Sequence, residues 1–187
     1  ATYADLQTAI AGWTHRADLT SIIPDLITIA EKRIFREVRV RVMESALSGT
    51  ITNGAMAIPN DYLDIKFAYI SSTPNSALSK ASGSQLYARY PNRTASGKPV
   101  LIAREGANFI FGPYPDSGYT VGGIYYAKPT ILATSANALF VANPDLYLFA
   151  TLAECAPYMK DDPRAGLWEA KYNSVKMQMD FEDNQES

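Results

Sequence analysis

The chain has 187 residues, 47% of them apolar, which is enough to bury a core in one domain or in a domain carrying an insertion. A formal net charge of −2 excludes a molecule that grips nucleic acid or an anionic membrane by its overall charge, and a single cysteine, Cys155, excludes an intrachain disulfide framework and thiolate-rich metal sites. With no uninterrupted apolar run of about 18 residues and no basic-then-apolar start, neither a membrane span nor a signal peptide is expected, and the protein should be made and used in a cytoplasm or in a particle assembled there.

Tyr3, Leu6, Ile10 and Trp13 recur at helical spacing, with Thr2 and Asp5 as a cap pair and an end at Gly12 or just past Trp13. A second predicted helix is more strongly marked. Ser21 can cap it, Pro24 suits an early position, and Ile23, Leu26, Ile27, Ala30, Ile34 and Val38 form its apolar stripe. Glu31, Lys32, Arg33, Arg36, Glu37, Arg39 and Arg41 occupy the other faces, with Glu37 and Arg41 spaced as a helical ion pair.

The pattern then changes to short alternating runs. Asn53-Gly54 between Thr50-Ile51-Thr52 and Ala55-Met56-Ala57-Ile58 signals a hairpin, because both turn residues must accept positive φ. Leu63 to Ile70, Val100 to Ala103, Asn108 to Phe111 and Tyr119 to Ala127 read as strands, and Pro115-Asp116-Ser117-Gly118 as the turn before the last. Ser82 to Arg89 reads as a short helix carrying Leu86 and Tyr87.

Helical spacing returns with Asn143 as cap, Pro144 behind it, and Leu146, Phe149, Ala150 and Ala153 on one face. Pro157 should kink or shorten that helix near its end. Asp161-Asp162-Pro163 repeats the device ahead of a last helix with Trp168, Tyr172, Val175 and Met179 in line. The expected class is α+β. Residues 1–43 and 143–187 should form a discontinuous helical bundle, an N-terminal helix pair plus a C-terminal hairpin, with a small antiparallel β domain inserted over 44–142.

Few residues carry chemistry. His15 lies in a polar stretch between helices with no nucleophile motif beside it, and Cys155 sits among small helical residues. The acid pairs Asp61/Asp64 and Asp161/Asp162 fall in a turn and a helix cap, and neither requires a general acid/base role. No phosphate-binding glycine loop is present; Gly112, Gly118, Gly122 and Gly123 fit turns and bulges, and Asn92-Arg93-Thr94 is a chance glycosylation sequon. No catalytic, metal or cofactor site is therefore expected. Two features suit binding. Lys32, Arg36 and Arg39 fall on one helical face, either solvated or set against an acidic partner, a neighbouring subunit or passing DNA. Tyrosines 62, 69, 87, 90, 114, 119, 125 and 126 suit either a recognition surface or the core of a small sheet.

The opening Thr2-Tyr3-Ala4-Asp5-Leu6-Gln7, Ala9-Ile10-Ala11-Gly12-Trp13 and Ile22-Ile23-Pro24-Asp25-Leu26-Ile27, running into Ala30-Glu31-Lys32-Arg33-Ile34 and Arg39-Val40-Arg41, resembles bacteriophage head-to-tail adaptor (connector) proteins. So do Asn143-Pro144-Asp145-Leu146-Tyr147, Leu152 to Tyr158, Asp161 to Arg164 and Leu167-Trp168-Glu169; the pattern is similar to the portal-binding, tail tubular A-like adaptors of short-tailed phages. The resemblance implies a structural, non-enzymatic subunit at the head-tail junction of a virion, assembled in the host cytoplasm. It implies a homo-oligomeric ring, commonly dodecameric, beneath the portal protein, which carries the tail or nozzle protein and lets DNA pass through its lumen without sequence-specific binding. No membrane is involved. On that reading the acidic end, Asp180 to Ser187, with Met177, Met179 and Phe181, orders on a partner, and Lys32, Arg36 and Arg39 meet a neighbour. Two other readings stand beside it: a tail-associated module whose β region recognises a receptor or glycan, and a hydrolase built on His15.

Overall fold

Capping and periodicity place the helices, and strand alternation places the sheet. The computed structural model describes every residue except Ala95, Asp161 and Ser187. Its α-helices are α1 (Tyr3–Thr14), α2 (Ile23–Glu37), α3 (Gly83–Arg89), α4 (Ala138–Ala142), α5 (Pro144–Glu154) and α6 (Arg164–Gln185). Its strands are β1 (Glu44–Thr50), β2 (Ala55–Ala57), β3 (Tyr62–Ile70), β4 (Ser76–Lys80), β5 (Leu101–Glu105), β6 (Asn108–Gly112) and β7 (Thr120–Ala127). The chain is α+β and divides into two compact units, residues 1–43 with 128–187, and residues 44–127.

In the helical unit, Thr2 and Asp5 form a reciprocal cap. The Thr2 hydroxyl accepts the Asp5 N–H at 3.1 Å, and the Asp5 carboxylate accepts the Thr2 N–H at 2.8 Å. α1 closes on His15, left-handed at φ 52°. Two expectations for α2 fail. A short 3-10 turn at Ala17–Leu19 leads in, so Ile22 rather than Ser21 holds the cap position. The helix also stops at Glu37, because Val38 and Val40 are both buried in extended chain, where alternate residues share a side. Glu37 and Arg41 are therefore not a helical pair.

Residues 128–142, expected with the strands, belong to the helical unit. Leu132, Leu139 and Phe140 enter its core, and the Asn137 side chain caps α4 by accepting the Phe140 N–H at 2.8 Å. Asn143 precedes Pro144 as expected but makes no side-chain cap bond. Pro157 sits in a 3-10 turn past the end of α5. Of the Asp161/Asp162 pair, Asp161 lies outside the described residues, as does Ser187 at the end of the acidic segment; Asp162 accepts the Arg164 N–H at 2.8 Å. Trp168, Tyr172 and Met179 of α6 are buried in line, and with Ile10, Ile23, Ile27, Ile34 and Tyr147 they make the core.

The strand unit holds one seven-stranded mixed sheet in the order β1-β7-β3-β4-β5-β6-β2. It is not wholly antiparallel: β4, which the sequence reading missed, pairs β5 in parallel through Ser79–Leu101 and Lys80–Ile102. α3 lies in the crossover between them, capped reciprocally by Ser82 and Gln85. β1 and β2 end the sheet on opposite sides, yet only the turn at Asn53 (φ 51°) and Gly54 (φ 75°) joins them, with the Thr52–Ala55 bridge closing it. The sheet must therefore curl until its edges approach. Leu47, Met56, Ile70, Leu78, Ile102, Phe109 and Val121, one from each strand, share a single interior cluster. Outside it, Leu86 of α3 covers Ala103 and Ile110.

Candidate functional site

The residues with the most chemistry are engaged structurally. His15 is exposed at a helix end, beside an Arg16–Asp18 pair at 2.6 Å. The Cys155 thiol is buried and pushed up to about 11, first by burial and then by the charge of Glu154. Asp61 accepts the Tyr125 hydroxyl proton at 2.8 Å, and Asp64 pairs with Lys80. Among the described residues no three His, Cys, Asp or Glu stand together to hold a metal ion, and no helix is long and apolar enough to cross a membrane.

Sequence reasoning missed the polar seam between α2 and α6. Arg33, counted as a solvent charge, forks onto Glu169 at 2.9 and 2.5 Å and also reaches Glu37 at 3.1 Å. Its guanidinium lies 4.4 Å from the centre of the Tyr172 ring, whose hydroxyl donates to Glu37 at 2.7 Å. Lys176 completes the group, 2.9 Å from Glu37. Burial pushes the Glu37 carboxyl up, but the bonds from Lys176, Tyr172 and Arg33 outweigh it and hold the group at about 2. The only signal in the sequence was the Arg33–Glu37 spacing.

Glu31, also expected on a solvent face, is 4% exposed. It accepts the Leu132 N–H at 3.0 Å and the Tyr147 hydroxyl at 3.0 Å, while Asn137 donates to that hydroxyl at 3.1 Å and to the Thr130 carbonyl at 2.8 Å. Burial raises the Glu31 carboxyl above the ordinary range, and these donors moderate the rise.

The candidate contact residues fall into different environments. Lys32 and Arg36 are exposed on α2. Arg39 lies beyond the end of that helix and turns its guanidinium back to the Phe35 and Val38 carbonyls at 2.6 and 2.7 Å, so the three do not form one helical face. At the other end, Met179 is 7% exposed and packs inward, whereas Met177 and Phe181 are 70% and 63% exposed. The acidic segment is helical through Gln185 and docks on its own unit: Asp183 accepts the Arg41 backbone N–H at 2.8 Å, and Glu186 pairs with the Arg41 guanidinium at 2.6 Å.

In the strand unit Tyr125 is buried, and Tyr62 packs edge-on against Phe109 with ring centres 5.2 Å apart. Arg93 lies between Tyr87 and Tyr114, 5.6 and 5.1 Å from their ring centres, and donates to the Phe111 carbonyl at 2.8 Å. Phe67 and Tyr69 on β3 stack at 19° between planes, with Phe67 half exposed.

The polar clusters of this α+β chain tie helix to helix in one unit and strand to strand in the other, and apolar side chains are left outward on its last helix. The family model for the SU10 adaptor protein matches residues 1–187, and the chain belongs to that family. It is a phage adaptor family, and its role is that of a structural component of the virion. No curated protein matches the sequence.

Proposed function

We propose that this protein is a head-to-tail adaptor of the tail tubular A-like kind, one copy of a ring that sits beneath the portal, carries the tail or nozzle and lets DNA pass through its lumen. In this reading the helices of 1–43 and 128–187 are a bundle domain and residues 44–127 a β domain inserted into it. The observation that carries the reading is the family match over all 187 residues. It is supported by the acids and bases of the helical unit, which serve packing rather than an open catalytic cleft. The ring belongs at the head-tail junction of a particle assembled in the host cytoplasm.

Light scattering on the purified protein, alone and with the cognate portal ring, tests this. A ring-sized species, or a monomer that adds to the portal in several copies, supports it. A monomer indifferent to the portal overturns it. One observation favours a second reading, in which the β domain binds a receptor or glycan: the half-exposed Phe67 ring stacks on the partly buried ring of Tyr69. Loss of particle adsorption in Phe67→Ala, with particles still assembling, selects that reading.

A further inference from the structure

We propose that α6 carries a second contact face built to receive the outward face of α2 from another copy of this chain, head to tail. This rests on the ring reading above and assigns the surfaces that close the ring.

α6 is apolar on two opposed sides. Trp168, Tyr172 and Met179 face inward, and Leu167, Ala170, Ser174, Met177 and Phe181 recur at alternating three- and four-residue intervals on the far side. At 100° per residue these five positions fall within about 80° of arc, one narrow stripe of the kind that packs along another helix. Leu167, Met177 and Phe181 are all more than half exposed, and Ala170, Ser174, Met177 and Phe181 line one open surface of the helix. Asp180 and Glu182 stand beside this stripe, with no cation in salt-bridge reach among the described residues.

The complement lies on α2. Thr28, Ile29, Lys32 and Arg36 are exposed together, with Ile29 48% open and Asp25 at the head of the face. Among the described residues no carboxylate reaches Lys32 or Arg36. The α6 face is apolar with Asp180 and Glu182 beside it, and the α2 face carries Ile29 with the bases Lys32 and Arg36. They cannot meet within a molecule, because α2 and α6 already face each other through Arg33–Glu169 and Glu37–Lys176, which leaves both exposed stripes pointing away from that seam. Two complementary but different patches on one subunit make a heterologous contact, which gives a ring when the rotation between copies closes and an open filament when it does not, whereas a two-fold dimer uses one patch twice.

The test uses full-length protein and two charge-reversed variants, Lys32→Glu/Arg36→Glu and Asp180→Lys/Glu182→Lys. Light scattering reads assembly, alone and on portal rings. Each variant alone is expected to lose self-association by at least about tenfold in apparent affinity, while an equimolar mixture assembles, since every contact in an alternating ring is then matched. Met177→Glu/Phe181→Glu should abolish assembly with an unchanged melting temperature, both side chains being outside the core. Wild-type protein that forms no ring alone and adds no copies to the portal overturns the ring reading and this one together. Wild-type rings with the variants unaffected, or with no rescue on mixing, overturn this one alone. Loss of single-copy attachment to the portal in Met177→Glu/Phe181→Glu, again without rescue between the charge variants, gives the α6 face to the portal instead.

Discussion

Glu31 on the buried side of α2 accepts the backbone N–H of Leu132, 101 residues further along the chain. The same carboxylate takes the Tyr147 hydroxyl, so one side chain fixes both the segment entering the helical unit after the strands and helix α5 beyond it. Glu31→Ala strands a buried N–H and a buried hydroxyl, and the expected loss of stability is about 2–4 kcal/mol, read as a lower urea midpoint with an unchanged slope.

The same carboxylate makes stability depend on pH with an unusual sign. Its native pKa is raised above the unfolded value by burial. Its contribution is therefore complete below the unfolded carboxylate range and is lost as pH rises through the native pKa. Measured against Glu31→Gln, the wild type should be relatively more stable near pH 4 than near pH 7. A difference that stays flat over that interval means Glu31 keeps an ordinary pKa.

Glu37 should behave in the opposite way. Its native pKa is held at about 2, so its contribution is present above the ordinary glutamate value of 4.5 and is lost as pH falls toward 2. Because the side chain is a third exposed, solvent screening reduces the effect, and Glu37→Gln should remove about 1 kcal/mol at pH 7 and progressively less toward pH 2. Acid titrations of stability for the two proteins, converging at low pH, are the measurement.

These two glutamates also mark where the sequence stopped being legible. Helical spacing gave the stripe of α2 and the inward line Trp168, Tyr172 and Met179, because an apolar core imposes a period that can be counted. Asn53-Gly54 gave its turn because few residues tolerate φ values of 51° and 75°. Glu31 and Glu37 read as solvent charges because their partners, Leu132, Tyr147, Lys176 and Tyr172, lie far along the chain and no local pattern announces them. β4 escaped for a related reason: Ser76–Lys80 alternates weakly, and only pairing with β3 and β5 makes it a strand. Lys32 and Arg36 were legible as exposed, but where α2 ends, which separates them from Arg39, was not, since burial of Val38 and Val40 decided it.

Gly123 should be irreplaceable where Gly106 is not. At Gly123 φ is 147°, and a Cβ would stand 2.2 Å from the Phe67 carbonyl oxygen and 2.8 Å from the Ala68 Cα, both backbone atoms of β3 beside a register shift. Gly106 has φ 59° with nothing within 4 Å. Gly123→Ala should cost about 3 kcal/mol or more, or fail to fold, whereas Gly106→Ala should cost only about 1–2 kcal/mol, from the left-handed backbone alone. Equal melting temperatures for the two variants would mean that β3 and β7 do not approach as closely as described.

Cys155 should report on opening of the helical unit. The thiol is buried and raised to about 11, and the thiolate is the form that alkylates, so burial suppresses the reaction twice, by access and by ionisation. At pH 8 iodoacetamide should label native protein at least about a thousandfold more slowly than urea-unfolded protein, the ratio set by a stability of several kcal/mol. Glu31→Ala loosens the same unit without touching the sulfur, so it should raise the native labelling rate in proportion to the stability it removes. Fast labelling of the wild type would place the sulfur at a mobile surface. Slow labelling that Glu31→Ala leaves unchanged would mean that α5 opens independently of the Glu31 anchor.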